Sequence, residues 1–286
     1  MSFWLPRVPP YPVPRLTSQI HETFRWSMVS ALILGLCSTA SGQGMRPLTT
    51  ESADTLEWGS GEVEVGIGSF QTRLQGQRGQ LWEIPQLAAR VGLGPTSELR
   101  VEGNGAMAFD PDTGDDAREP GDLTFWAKVR FWKGTAFQPV VAGRIGVKLP
   151  ITSEESGLGT DETDFFAQLI LSQNVSTSRL HLNLGIAVLG DPTRNSAQND
   201  TLTYALAAGT PIGSRARLVG EIAGQQGAGT SFDRSFVRAG VRWEAAGAVW
   251  DVGASFGLID ESEDWGIIAG MTRGFTWTPK EAAPKR

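Results

Sequence analysis

The sequence predicts an all-β fold, an antiparallel up-and-down transmembrane β-barrel of about 12 strands, with 10 and 14 as the neighbouring counts. Three observations predict it. Short segments alternate apolar with polar residues, the connections between them are alternately short and long, and the 286 residues include 35 glycines and 10 tryptophans. Alternating segments of roughly ten residues separated by turns are typical of strands in a membrane barrel. No apolar run reaches the roughly 20 residues that a transmembrane helix needs.

The clearest strand is "SELRVEGNGAMAF", in which Leu99, Val101 and Phe109 alternate with Arg100 and Glu102. A soluble β-sandwich also alternates apolar with polar side chains. The connection lengths favour the barrel over the sandwich, and the charged side of each strand must then face a lumen. The predicted strands span 61–71, 81–93, 98–109, 122–133, 137–149, 163–174, 179–189, 201–210, 215–225, 234–244, 249–258 and 265–277.

The connections predict which end of the barrel faces which compartment. Short ones such as "GPTS" and "VSTS" alternate with long ones such as "FDPDTGDDAREPGD" and "PITSEESGLGTDETD". The five long connections from residue 110 onward contain 18 of the 31 acidic residues. Outer-membrane barrels have short periplasmic turns and longer extracellular loops. The sequence therefore predicts short periplasmic turns and long, acidic extracellular loops.

The residues before the barrel indicate export. Residues 1–42 read as a signal peptide with a long amino-terminal region, because "MVSALILGLCSTASGQG" joins an apolar run to small residues and three arginines precede it. The single cysteine, Cys37, follows Leu36 rather than Gly or Ala, which disfavours a lipid anchor. We expect a short periplasmic lead-in at 43–58, the barrel at 59–277 and a polar tail at 278–286.

Composition excludes several functions. The net charge of −6 and the pI near 5.1 give no basic surface for nucleic acid. The acidic stretch "DPDTGDDAREPGD" does not fit an EF-hand, because Gly114 stands at the third ligand position and no glutamate closes the loop. We therefore predict no metal, no cofactor and no nucleic-acid partner.

An ordered set of motifs carries a family resemblance. "GDLTFWAKVRFW", "PVVAGRIGVKLP", "GLGTDETDF", "LHLNLG" and "DWGIIAGMTRGF" follow one another across roughly residues 60 to 277. In this order they resemble the transporter-like outer-membrane family named for the MetA pathway of phenol degradation. The resemblance implies an exported barrel that passes small, often aromatic or hydrophobic compounds, and it brings no catalytic residues.

The inward positions predict a charged lumen. One interpretation is that basic side chains pair across the barrel with Glu102 and Glu221 and bind water. The other is a basic constriction that attracts organic anions. Trp126 is predicted to point inward beside Lys128, either to stack on an aromatic solute or to pack against a folded-in loop. The candidate lumen residues are Arg90, Arg100, Glu102, Trp126, Lys128, Arg130, Arg144, Lys148, His181, Asn183, Arg217, Glu221, Arg238 and Arg242.

His181 and Asn183 are the one pair that could serve catalysis, as a base and its orienting amide. Outer-membrane lipid hydrolases need their site on the outer surface, whereas this pair is predicted to face inward. The sequence shows no obvious serine partner at matching height on a neighbouring strand. We expect a hydrogen-bonded lumen histidine and not an enzyme.

The last strand predicts how the barrel is assembled. Phe275 and Trp277 are candidates for the aromatic-ended signal read by the outer-membrane assembly machinery, and a bulge at Gly274 would keep Arg273 away from lipid. Tryptophans at strand ends are expected to form aromatic girdles.

The expected function is an outer-membrane channel of a Gram-negative cell for passive diffusion of small organic solutes. Its partners are the bilayer, lipopolysaccharide, the assembly machinery and the solute, and it is expected to be a monomer. The alternatives are a non-conducting structural or surface barrel and, with less support, a lipid hydrolase.

Overall fold

A computed structural model describes residues 38–40, 44–191, 197–227 and 232–277. Most of the predicted signal peptide, including Cys37, and the polar tail lie outside these residues. None of the described residues forms a helix with the length and apolarity that a membrane crossing requires. The strands are β1 (Ser38–Ala40), β2 (Ser60–Leu74), β3 (Gln77–Gly92), β4 (Ser97–Asn104), β5 (Met107–Pro111), β6 (Ala117–Glu119), β7 (Leu123–Trp132), β8 (Val140–Leu149), β9 (Asp164–Val175), β10 (Ser178–Asp191), β11 (Ala197–Pro211), β12 (Ala216–Gly227), β13 (Arg234–Ala245), β14 (Ala248–Gly257) and β15 (Trp265–Thr276).

Twelve antiparallel strands close into a barrel, as the sequence predicts. Each pairs with its neighbour in the chain, and β15 closes the barrel on β2 from Trp265 opposite Gln71 to Thr276 opposite Ser60. Both β4 and β5 pair with β3, so they form one wall strand interrupted near Gly105. The two additional strands are β1, beside β15, and β6, which pairs with β5. Closure satisfies the backbone polar groups that an open sheet would leave unpaired in lipid.

The two ends of the barrel differ in their connections. One end, called the short-turn end, carries both ends of the wall (Ser60 and Thr276) and the turns at 93–96, 133–139, 176–177, 212–215 and 246–247. The other, the long-loop end, carries the β5–β6 hairpin and the connections after β8, β10, β12 and β14. The first connection at this end differs from the prediction. It shortens to Gln75 and Gly76, with φ values of 48° and 78°, because β2 and β3 extend further than expected.

The barrel is polar inside and apolar outside. Large apolar side chains such as Ile145, Ile186 and Leu202 are more than half exposed on the outer face. Charged side chains, among them Arg90 and Lys128, are almost fully buried inside. A continuous exposed apolar surface of this kind is typical of contact with lipid, and the strand alternation that predicts it follows from side chains pointing to opposite faces of a sheet.

Exposed tryptophans lie near both ends of the wall. Trp58, Trp132, Trp243, Trp250 and Trp277 lie at the short-turn end, whereas Trp82 and Trp265 lie towards the long-loop end. This placement agrees with the two aromatic girdles expected of a membrane barrel.

The bulge predicted at Gly274 is absent. The pairing of β15 with β2 runs without a shift, so Arg273 stays on the outer face opposite Val63. A long arginine side chain near a strand end can carry its charge to the membrane interface, and no bulge is then needed. Register shifts occur instead between Gly66 and Gly68 and between Arg130 and Trp132.

Candidate functional site

Residues 44–57, called the inner segment, lie inside the barrel lumen. The sequence predicts a short periplasmic lead-in at 43–58, whereas the side chains and backbone of this segment contact inward-facing wall residues in the structure. Thr50, Glu51, Ser52 and Ala53 are all buried, and Ala53 has no exposed surface. The segment contains little regular structure of its own, so its backbone groups must find partners on the wall.

The inner segment follows the inner wall through most of a turn. It passes β2, then β14 and β15, then β13, β12, β10 and β9, and it returns along β4 to begin β2. The contacts that mark this course are Gly44 beside Glu64, Arg46 with Asp251, Pro47 with Arg238, Thr50 with Glu221, Glu51 with Asn183, Ala53 with Ser172 and Leu56 with Glu98.

Glu51 is the most connected residue of the inner segment. Its carboxylate lies 3.3 Å from Arg144 Nη1, 3.4 Å from Arg90 Nη1 and 3.5 Å from Lys128 Nζ. Its backbone is held on both sides by one amide: Glu51 N–H donates to Asn183 Oδ1 at 2.7 Å, and Asn183 Nδ2 donates back to the Glu51 carbonyl at 2.9 Å. Burial alone would raise the pKa of Glu51, but the surrounding cations, Lys128 first, hold that pKa well below its usual range.

The basic residues around Glu51 have further acidic partners on the wall. Lys128 Nζ lies 2.9 Å from Glu98 Oε1, and Arg90 pairs closely with Glu62. Arg100 binds two carboxylates, Glu64 at 2.9 Å and Glu102 at 2.6 Å. Four basic side chains therefore meet five carboxylates in this part of the lumen, and the buried charges are compensated by ion pairs and hydrogen bonds instead of forming an unpaired basic constriction.

Trp126 points inward, as its alternation predicts, but its ring is already covered. Arg144 stacks over it at 4.0 Å from the guanidinium carbon to the ring centroid, and Phe166 packs with a centroid separation of 5.3 Å. The indole N–H donates to Glu102 Oε1 at 2.8 Å. In this state Trp126 fixes Arg144 towards Glu51 instead of presenting a free face to a solute.

A second group of wall residues holds the first half of the inner segment. Glu221 accepts from the N–H groups of Thr49 and Thr50, each at 2.8 Å, and from the Thr50 hydroxyl at 2.6 Å. Arg238 donates to the Pro47 carbonyl at 2.9 Å and lies 3.7 Å from Glu221. These two predicted lumen residues therefore bind the segment's backbone as well as each other.

His181 has the serine neighbour that the sequence did not reveal. Its Nδ1 is 2.8 Å from the hydroxyl of Ser172, directly opposite on β9. Ser172 has 1% of its surface exposed, because the N–H of Ala53 donates to its hydroxyl at 2.9 Å. The pair faces the lumen beneath the inner segment, away from the lipid-facing surface that a lipid hydrolase needs.

Two predicted lumen residues lie at the rims. Arg130 donates to the Pro95 carbonyl at 2.6 Å in the turn at 93–96, at the short-turn end. Lys148 lies 2.7 Å from Asp164 and 3.4 Å from Asp122 at the long-loop end. Neither reaches the network around Glu51, because each stands at the end of its strand.

The inner segment separates two cavities. One, of about 520 Å³, lies towards the long-loop end and is lined by Phe70, Leu81 and Phe236 together with Arg100 and other charged groups. The other, of about 490 Å³, lies towards the short-turn end and is lined by Arg217, Arg242 and His181 among others. Met45 borders both cavities. The arrangement places a folded stretch of chain across the middle of a polar lumen.

Several residues of the candidate site were not predicted from the sequence. The same alternation could have identified three inward glutamates, Glu62, Glu64 and Glu98. On β2, for example, Val63 and Val65 alternate with Glu62 and Glu64 and face outward. Glu51 carries no such signal, because it lies outside every strand and its environment depends on a fold-back that no local pattern encodes.

Comparison with solved structures places the fold among outer-membrane barrels. The COG4313 outer membrane channel from Pseudomonas putida F1 superposes with a TM-score of 0.60 at 14% identity, covering 80% of this chain and 100% of that one. The translocator domain of the autotransporter NalP from Neisseria meningitidis gives a TM-score of 0.50 at 12% identity, covering 90% and 96%. At such identities the likeness concerns the fold alone.

Comparison of sequences identifies the family. No curated protein matches the chain. The family described as "Putative MetA-pathway of phenol degradation" matches residues 44–273, which include both the inner segment and nearly the whole wall. The chain therefore belongs to the family of the MetA pathway of phenol degradation.

Proposed function

We propose that this protein is an outer-membrane channel for passive diffusion of small organic solutes, and that the inner segment closes it in the state described here. The observation that carries the proposal is the pair of cavities, each near 500 Å³, on the two sides of one short stretch of chain. Each cavity has the size of a small-molecule site, which is about 300 to 1,000 Å³. Displacing that stretch would join them into one path through the barrel.

The kind of contact that holds the inner segment is compatible with its displacement. The contacts are mainly hydrogen bonds and ion pairs to polar wall groups. The segment's buried apolar contacts include Leu48 with Ala207 and Val219, beside Met45, and Ala53 with Ala142 and Ile170. A hydrogen bond exchanged for water contributes only about 0.5 to 1.5 kcal/mol. In an open lumen, water would satisfy the same wall groups.

A non-conducting structural barrel is the second candidate, and the Glu51 network is the observation that favours it. Three cations converge on one buried carboxylate, and breaking a buried ion pair costs about 3 to 5 kcal/mol. If that network never opens, the two cavities stay separate. The protein then conducts no solute and acts only as a structural or surface barrel. We propose no catalytic role for the pair of Ser172 and His181.

We also propose an orientation and partners for the barrel in the cell. We place the short-turn end in the periplasm and the long-loop end outside, with the signal peptide of residues 1–42 directing export. The lipid bilayer, lipopolysaccharide and the assembly machinery are the proposed partners, and the barrel is proposed to act as a monomer. An apolar outer belt and closed backbone pairing suit this location.

A reversible crosslink tests whether the inner segment is the gate. Ala53 and Ala142 pack together without exposed surface, so Ala53→Cys with Ala142→Cys introduces two small thiols at a direct contact. The only native cysteine lies in the predicted signal peptide, which leaves the processed chain free of competing thiols. Single-channel conductance in planar bilayers is measured before and after dithiothreitol on the same sample.

We expect the oxidised protein to be silent and the reduced protein to conduct like the wild type. The single variant Ala53→Cys is the control, because it cannot crosslink and should ignore the reductant. Equal conductance of the oxidised and reduced double variant would show that the inner segment is not the gate. Silence of every form, with no solute flux into liposomes, would favour the structural barrel.

A further inference from the structure

The cavity at the short-turn end is more basic than the rest of the lumen. Its lining has two more positive than negative side chains when His181 is neutral, whereas five arginines and five glutamates balance around the other cavity. The charged groups of the short-turn cavity are Arg179, Arg215, Arg217, Arg242, Asp54 and Glu244. The excess positive charge is therefore confined to one side of the inner segment.

Two of these arginines stand directly opposite each other. Arg217 on β12 pairs in register with Arg242 on β13, and both line the cavity. Like charges directly opposite on adjacent strands destabilise a sheet. Within the part of the chain that the structure describes, neither side chain forms an ion pair with a carboxylate, and Arg242 Nε is buried without a hydrogen-bond partner.

The wall carboxylate opposite Arg242 forms its ion pair with another cation. Asp251 is opposite Arg242 on the other side, but it pairs with Arg46 of the inner segment at 3.4 Å. Arg179, at the edge of the cavity, is held by Asp54 at 2.6 Å. Among the described residues, the facing pair of guanidinium groups therefore has no carboxylate within ion-pair distance, and the second oxygen of Asp251 has no hydrogen-bond partner.

We propose that the short-turn cavity binds a small organic oxyanion, a carboxylate or a phosphate monoester, between Arg217 and Arg242. The planar guanidinium fork matches the two oxygens of such groups. Apolar side chains of Met45, Val219 and Val249 border the same cavity and suit an organic remainder. The site rests on the proposed function, and it names the class of solute that the channel receives at its short-turn end.

Binding to the processed barrel in detergent tests the site. Benzoate and phenyl phosphate are the anionic probes, and benzyl alcohol is the neutral probe of similar size, each titrated by calorimetry. Arg217→Gln and Arg242→Gln each remove one guanidinium. Arg118→Gln is the matched control, because its side chain is 73% exposed on the β5–β6 hairpin at the opposite end of the barrel.

We expect each site variant to bind the anion that the wild type prefers about tenfold or more weakly than the wild type does. That difference corresponds to the loss of roughly one charge-assisted hydrogen bond. The control should bind like the wild type, and benzyl alcohol should bind much more weakly than either anion. The anion that binds more tightly to the wild type identifies the group, carboxylate or phosphate, that the site prefers. Failure of both anions to bind the wild type, or equal binding by the Arg217→Gln/Arg242→Gln double variant, would overturn the proposal.

The stability of the empty protein provides a second readout. Arg217→Gln relieves the repulsion across β12 and β13, so its melting temperature without ligand should rise while its affinity falls. A merely structural arginine would lower the melting temperature when removed, and that result would count against the site. Conductance separates this inference from the proposed function, because anion binding without conductance refutes only the channel, and conductance without anion binding refutes only the site.

Discussion

Replacing Glu51 by glutamine tests whether one carboxylate anchors the inner segment. The substitution keeps the shape of the side chain and its backbone bonds to Asn183, but it removes the charge that faces Arg90, Lys128 and Arg144 at 3.3 to 3.5 Å. The segment should leave the wall more often, because its strongest electrostatic contact is lost.

The structure also sets the size of the effect. Breaking a buried ion pair costs about 3 to 5 kcal/mol. The lower end applies here, because Arg90 keeps Glu62, Lys128 keeps Glu98, and Arg144 keeps a hydrogen bond to Gln168 at 2.8 Å. A loss of about 3 kcal/mol corresponds to a shift of the closed–open equilibrium by roughly 100-fold.

Hydrogen exchange with mass spectrometry measures that equilibrium directly. The N–H groups of Thr50, Glu51, Ala53 and Leu56 all donate to wall side chains at 2.7 to 2.9 Å, so their exchange requires the segment to open. Peptides of the inner segment should exchange roughly 100-fold faster in Glu51→Gln, while the strands stay protected. Glu57→Gln is the control, since Glu57 belongs to the same segment but is exposed. Equal acceleration in both variants, or none in Glu51→Gln, would refute the reasoning.

Three further predictions follow from single contacts. Because the pKa of Glu51 is lowered in the folded protein, its stabilisation is complete above the ordinary glutamate pKa and is lost as pH falls through the folded value. The protection factors of the inner-segment amides, corrected for the slower intrinsic exchange in acid, should therefore fall on acidification. Gly146→Ala should destabilise the barrel by about 1 to 3 kcal/mol in heat denaturation, because the added methyl would meet the Trp126 ring. Trp277→Ser should impair insertion into outer membranes, whereas deleting 278–286 should not, if the Phe275 and Trp277 pair, 5.9 Å between centroids, is the assembly signal.

Each of these has its own control. The acid effect should vanish in Glu51→Gln, and its persistence there would assign it to other groups. Gly94→Ala should leave stability nearly unchanged, because the nearest atom to the added methyl is 3.5 Å away, so an equal loss would disprove the contact argument. Normal insertion of Trp277→Ser would show that the signal lies elsewhere.

The wall of the barrel could be predicted from the sequence because the face that each side chain occupies follows from its position within its own strand. Alternation in β7 sets Phe125 and Val129 outside and Trp126 and Lys128 inside, and the structure places them so. All twelve wall strands lie where alternation and connection lengths put them, to within a few residues. The ends of the strands were less predictable. The extension of β2 to Leu74, for example, follows from its pairing with β3 rather than from any local pattern.

The lumen could be predicted only in part. The inward residues Arg90, Lys128 and Asn183 were identifiable by position, but their partners were not, because Glu51 is 39 to 132 residues distant in the chain and in no strand. The contact of Ser172 with His181 escaped for a related reason. Their pairing depends on the two-residue turn at 176–177, and an offset of one residue in that turn would have turned Ser172 to the outer face.

The inner segment remains joined to the wall at Ser60, and this connection has a kinetic consequence. A closing element on a covalent tether returns by an intramolecular step, at an effective concentration in the millimolar range for short flexible links. Fully extended, its 14 residues reach about 46 to 50 Å from β2, which exceeds the roughly 30 Å thickness of a bilayer core. In the proposed channel, release would therefore be followed by unaided reclosure. A protein or protease that captures the freed segment as it leaves through the short-turn end would act from one side of the membrane only.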